Sequence, residues 1–154
     1  MYNIFTIANW FLKQESMDHK KLQKLCYYAQ AWSLALRNKR LIDDVFEGWA
    51  HGPVCRNLWD VLKKYPYYYK ISNCEFESKS KAINDAEDLK LLNRVWETYK
   101  DYDGIDLECM THNETPWINT RVNLSNYEIG KKIISENDMK EYYYKLYSGD
   151  GLGE

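Results

Sequence analysis

The sequence predicts a mainly α-helical, single compact domain with a small two-stranded β element. Three observations carry this. Apolar residues recur at three- and four-residue spacing in the stretches 4–12, 22–36 and 89–99. Capping residues or prolines stand where the later helical stretches begin. The 154 residues show no repeat, linker or low-complexity run that would divide the chain. The domain is expected over 1–147, with the Gly-rich end SGDGLGE (148–154) as a flexible C-terminal tail.

The first helix is read from Ile4 to Lys13, with Ile4, Ile7, Ala8, Phe11 and Leu12 on one face. Ser16 or Asp18 caps the next, whose stripe is Leu22, Leu25, Cys26, Ala29, Trp32 and Leu36. Arg37, Lys39 and Arg40 follow, where cations offset the helix dipole. Val45 to Ala50 is expected to be extended. Pro53 then opens a helix to Lys64, because its fixed φ suits a first helical turn. Residues 70 to 84 lack a pattern. Asp85 caps a helix to Lys100 with Leu89, Leu92, Val95, Trp96 and Tyr99 inward, and Ile105 to Thr111 forms a shorter one. Thr115 is expected to cap a helix begun by Pro116 and Trp117. Glu128 to Ile134 is the second strand, and Ser135 caps a last helix to Tyr147.

Hydrophobic residues at 45% and charged residues at 29% describe a chain able to bury a core. Lys and Arg number 21 against 23 Asp and Glu, without a basic stripe, which disfavours nucleic acid as the main partner. No window approaches the roughly 18 apolar residues of a membrane span, and the start carries no leader-like pattern. Cys26, Cys55, Cys74 and Cys109 stand apart without a CxxC pair, as reduced thiols of a cytoplasmic protein do.

MTHNETPW (110–117) gathers residues able to do chemistry. His112 and Glu114 are two apart and would not share a helix face, and no HExxH is present, so no metal site is expected. The structural reading is favoured: capping threonines, a helix-starting proline and Trp117 as an anchor. WAHGPV (49–54) reads as a tight turn needing Gly52 and Pro53. It is not a phosphate or oxyanion loop, since it matches neither pattern. Cys55, in a first helical turn, is a position where a thiol pKa can fall, with His51 as a conceivable partner. The runs YPYYY (65–69) and YYYKLY (142–147) are hard to bury whole, and tyrosine-rich surfaces favour protein contacts.

KLQKLCYYAQAWSLA (21–35), WAHGPVCRNLW (49–59) and MTHNETPW (110–117), in this order and spacing, resemble the Panacea domain family, also called SocA-like. That family includes antitoxins of toxin–antitoxin systems and phage-associated proteins. The resemblance also takes in IANWFL near the start and IISENDMKEYY near the end. Its signature residues here include Lys24, Tyr28, Trp49, His51, Gly52, Pro53, Thr111, His112, Pro116 and Trp117, with Cys26 standing where leucine is common. The resemblance implies a helical cytosolic domain that neutralises a cognate protein toxin by direct complex formation. It also implies, in some members, an adaptor delivering the toxin to a cellular protease. It carries no catalytic residue, metal or cofactor, and names neither the partner nor the stoichiometry.

Within that reading Tyr67, Tyr68 and Tyr69 are the expected partner contact. A phage or mobile-element protein binding a host protein would present the same kind of surface. An enzyme would require His51, His112 and nearby carboxylates to converge on a pocket. A DNA-binding repressor would require a basic face.

Overall fold

A computed structural model describes residues 1–149 of the chain. The chain runs α1 (Ile4–Gln14), α2 (His19–Arg37), β1 (Glu47–Trp49), β2 (Gly52–Val54), α3 (Arg56–Leu62), α4 (Ala86–Tyr99), α5 (Gly104–His112), α6 (Thr115–Ile118) and α7 (Glu136–Gly149). The expected fold class is present: one compact helical domain carrying a two-stranded antiparallel sheet. Of the expected tail, Ser148 and Gly149 fall within α7, and residues 150–154 lie outside the described residues.

Local signals place most helices. Asn3, Asp18 and Asp85 cap α1, α2 and α4, each side chain accepting from a backbone N–H three residues on. Asp103 and Asp106 cap α5 reciprocally. Asn38, at φ 54°, ends α2 in the left-handed conformation.

α2 is the axis of the fold. It packs against α1, α4, α5, α7 and β2 and is buried continuously from Lys21 to Ala35. Lys21, Gln23, Lys24, Gln30 and Ser33 are the buried polar side chains of that stretch, and three of them fix the backbone between α2 and α3. Gln30 accepts from the backbone N–H of Leu41 and Ile42 and donates to the Ile42 carbonyl. Gln23 accepts from Cys55 N–H at 2.9 Å and donates to Cys55 O at 3.1 Å. Lys24 donates to Pro53 O at 3.3 Å.

The last two contacts explain a correction. Pro53 does not open a helix. It lies in β2, opposite Gly48, and α3 starts three residues later with Cys55 as N-cap. Gln23 and Lys24 occupy the backbone groups of 53–55 in an extended conformation, so the helix can begin only beyond them.

The second strand is likewise β2 and not Glu128–Ile134, which contributes only an antiparallel bridge between Ile133 and Glu47. The Arg121 guanidinium takes the carbonyls of Ser125 and Glu128, drawing that segment away from ladder pairing. Thr115 is the first residue of α6 and not its cap; Glu114 holds the cap position without a side-chain cap bond.

The tyrosine excess is divided between core and surface. Tyr27, Tyr28, Tyr99, Tyr143 and Tyr147 are buried among α2, α4 and α7, with Tyr28 stacked on Tyr99 at 4.2 Å. Their hydroxyls pair internally, Tyr27 with Tyr143 at 3.0 Å and Tyr99 with Tyr147 at 3.1 Å.

Candidate functional site

The three signature stretches, far apart in the chain, meet at the first half of α2. Lys24 and Tyr28 project from α2 one turn apart. Lys24 reaches the hairpin and Tyr28 reaches Glu114 at the start of α6.

Gly52 makes the hairpin turn at φ 106°, a backbone conformation that side chains disfavour. A Cβ there would stand 2.6 Å from Lys24 Cε and 3.0 Å from Thr111 Oγ1. Glycine is therefore demanded twice, by the turn and by the close approach of α2 and α5. Thr111 is fully buried and returns its hydroxyl to Glu108 O at 2.8 Å.

His112 stacks on Trp117 with ring centroids 4.0 Å apart, and Trp117 donates its indole N–H to Trp49 O at 2.7 Å. Pro116, buried, stands in the first turn of the short α6. His112 thus ties α5 to α6, and Trp117 ties α6 to the hairpin. Burial pushes the His112 imidazole below its ordinary pKa. His51, exposed on the hairpin turn, lies 3.3 Å from Glu108 Oε1, which also pairs with Lys20 at 2.7 Å. Burial opposes ionisation of Glu108, yet the Lys20 ammonium holds its carboxyl below the usual range.

Two buried ionisable groups stand out. Burial pushes Lys24 from an ordinary 10.5 down to about 7, with Glu108 opposing the shift. Burial pushes Glu114 up to about 7, although Tyr143 and Tyr28 both donate to its Oε1, at 2.7 and 2.9 Å.

A groove of about 270 Å³ opens above Lys24, between α2, α3 and the hairpin. Trp49 and Trp59, 5.2 Å apart, form its aromatic wall, and Tyr67 stands at its rim. Tyr67, Tyr68 and Tyr69 are 85%, 69% and 42% exposed on the loop after α3.

Sequence reasoning picked out Lys24, Trp49, His51 and Tyr67, which line the groove, but passed over Lys20, Trp59 and Lys63, which also line it. Their signal was weak, because a lysine on a helix is ordinarily a solvated residue. Glu114 was weighed with His112 and set aside on spacing, because nothing near it in the chain shows that Tyr28 and Tyr143 converge on it.

Cys55 does not take the lowered thiol that a first helical turn allows: burial pushes its pKa up to about 12. His51 lines the groove and His112 does not. Among the described residues no group of three or more His, Cys, Asp or Glu could hold a metal ion. None of their helices is long and apolar enough to cross a membrane.

The family model for SocA-like antitoxins with a Panacea domain matches residues 22–118, from the start of the buried part of α2 to the end of α6. The chain belongs to that family. No curated protein and no solved structure matches it.

Proposed function

We infer that this chain is a cytoplasmic antitoxin: a binding domain that neutralises a cognate protein toxin by forming a direct complex with it. Family membership over 22–118 is the observation that carries this reading. The contact surface is formed by the exposed Tyr67, Tyr68 and Tyr69: Tyr67 lines the groove and packs on Tyr68, and Tyr69 stacks on Tyr65. Exposed tyrosines offer large apolar area at low entropy cost, as contact hot spots do.

The reading is one of binding and not catalysis. Of the groups an enzyme would recruit, His112 in a ring stack, Glu114 under two tyrosines and Cys55 as a buried helix cap already serve the fold, and His51 lines the groove without His112.

The test is co-expression with each neighbouring reading frame, scoring growth and recovering the complex by affinity pull-down. A toxic neighbour neutralised through a stable complex supports the reading, whereas no toxic neighbour and no complex rejects it. Replacing Tyr67, Tyr68 and Tyr69 together by Ala is expected to weaken the complex about tenfold or more with the melting temperature nearly unchanged. Undiminished complex formation by that variant removes these tyrosines from the interface.

A further inference from the structure

We propose that the groove above Lys24 receives an acidic segment of the partner protein, a carboxylate side chain followed or preceded by an aromatic or aliphatic one. The inference rests on reading the chain as a protein-binding domain and specifies the chemistry of what it binds.

Lys24 is 1% exposed, yet it is among the residues that line an open groove. Its one hydrogen bond among the described residues runs to Pro53 O at 3.3 Å, while an ammonium carries three donors. A buried cation is costly without a counter-charge and hydrogen bonds, and a carboxylate entering the groove would supply both.

The surrounding charge agrees. Lys20 and Lys63 join Lys24 in the lining, and no Asp or Glu is among the lining residues. Lys20 pairs with Glu108 and Lys63 with Asp60, both outside the lining, so the groove itself presents ammonium groups, whose complement is acidic.

Trp49 and Trp59 give the apolar wall, and cations already lie over both rings, Arg56 at 5.2 Å and Lys63 at 4.9 Å. Glu47 holds Arg56 in place through two hydrogen bonds, whereas Lys63, half-exposed beside Asp60, can turn toward an entering carboxylate while its apolar neighbour covers the indoles. At about 270 Å³ the groove falls just below the roughly 300–1,000 Å³ of small-molecule sites, and it suits anchor side chains of a peptide. A nucleic-acid strand would need a track of exposed cations, whereas Lys24 is almost wholly buried and the groove is small.

The experiment selects displayed random short peptides on the whole wild-type chain, after depletion on the rim variant Lys63→Glu. Selected peptides are then synthesised with both ends capped and titrated by tryptophan fluorescence. The expected peptides carry Asp or Glu beside an aromatic or aliphatic residue. Their affinity drops about tenfold or more when those carboxylates become amides, in Lys24→Met, and in Lys63→Glu. Lys63 is exposed, so that variant decides the matter even where Lys24→Met fails to fold.

Peptides without acidic enrichment, or affinities indifferent to Lys63→Glu, overturn the proposal. So does tighter binding of single-stranded oligo-dT than of the selected peptides. Self-association of the chain that Lys63→Glu abolishes would assign the groove to a second copy and overturn it likewise. Neutralisation of a toxic neighbour that persists in Lys63→Glu would refute this groove and leave the antitoxin reading standing. Acidic peptides bound by a chain that neutralises no neighbour would do the reverse.

Discussion

Lys24 Nζ lies 3.3 Å from Pro53 O, joining residues 29 apart in the chain and fastening the hairpin to the central helix. The same ammonium is buried and its pKa is lowered to about 7. One side chain therefore sets the backbone path of the hairpin and the electrostatics of the groove above it.

Folding stability is expected to respond to that ammonium. Between pH 7 and 10.5 the unfolded chain binds the proton that folded Lys24 has lost, so its contribution makes stability rise with pH. Glu114 acts in the opposite sense. Its raised pKa contributes stability fully present below 4.5 and lost as pH rises to about 7. The groups around Lys24 are Asp18 at the N-cap, His19 and Lys20 on α2, Glu108 and His112 on α5, and His51 in the same groove lining. Burial lowers His19 to about 4, giving a slope opposite to that of Glu114, so each contribution is read as a difference from a variant. Denaturant unfolding from pH 5 to 9 should show Glu114→Gln and Lys24→Met each removing on the order of 2–4 kcal/mol of pH-dependent stability across its own window. Curves parallel to wild type for both variants would contradict the assignment.

Gly52→Ala is expected to cost about 1–3 kcal/mol, because alanine is strained at φ 106° and its Cβ meets Lys24. The readout is the denaturant midpoint at unchanged m-value. A shift below a few tenths of a kcal/mol would mean that the turn relaxes freely.

Trp117→Phe keeps a ring against His112 but removes the indole N–H donated to Trp49 O. A loss of roughly 1–3 kcal/mol is expected from the carbonyl left unpaired. Restoring nothing by the further change His112→Phe would separate that hydrogen bond from the stack.

Thiol labelling should divide the four cysteines in half. Cys74 and Cys109 are exposed, while Cys26 and Cys55 are buried and burial pushes both thiols up. Two thiols are expected to react quickly in the native protein and two only on unfolding. Fast reaction of a third would reopen Cys55 as a reactive group.

Much of the helical framework was legible locally. The stripes in α1, α2 and α4, with the caps Asp18 and Asp85, are short-range patterns whose physics is complete within a few turns. Two of the expectations failed for reasons no local pattern carries. Pro53 was diverted into a strand by Gln23 and Lys24, and the backbone near Glu128 was claimed by Arg121. The buried polar residues of α2 look like surface positions in the sequence, because nothing nearby in the chain shows which loops they hold.

The sequence by itself determined the helical class, the positions of the long helices and the signature residues that mark the family. Only the tertiary structure decided that those signatures meet, that Lys24 is buried beneath an aromatic groove, and which tyrosines face water. Helix periodicity depends on neighbours three and four residues away. The groove depends on contacts between α2, the hairpin and α3, which form only once α2 is buried.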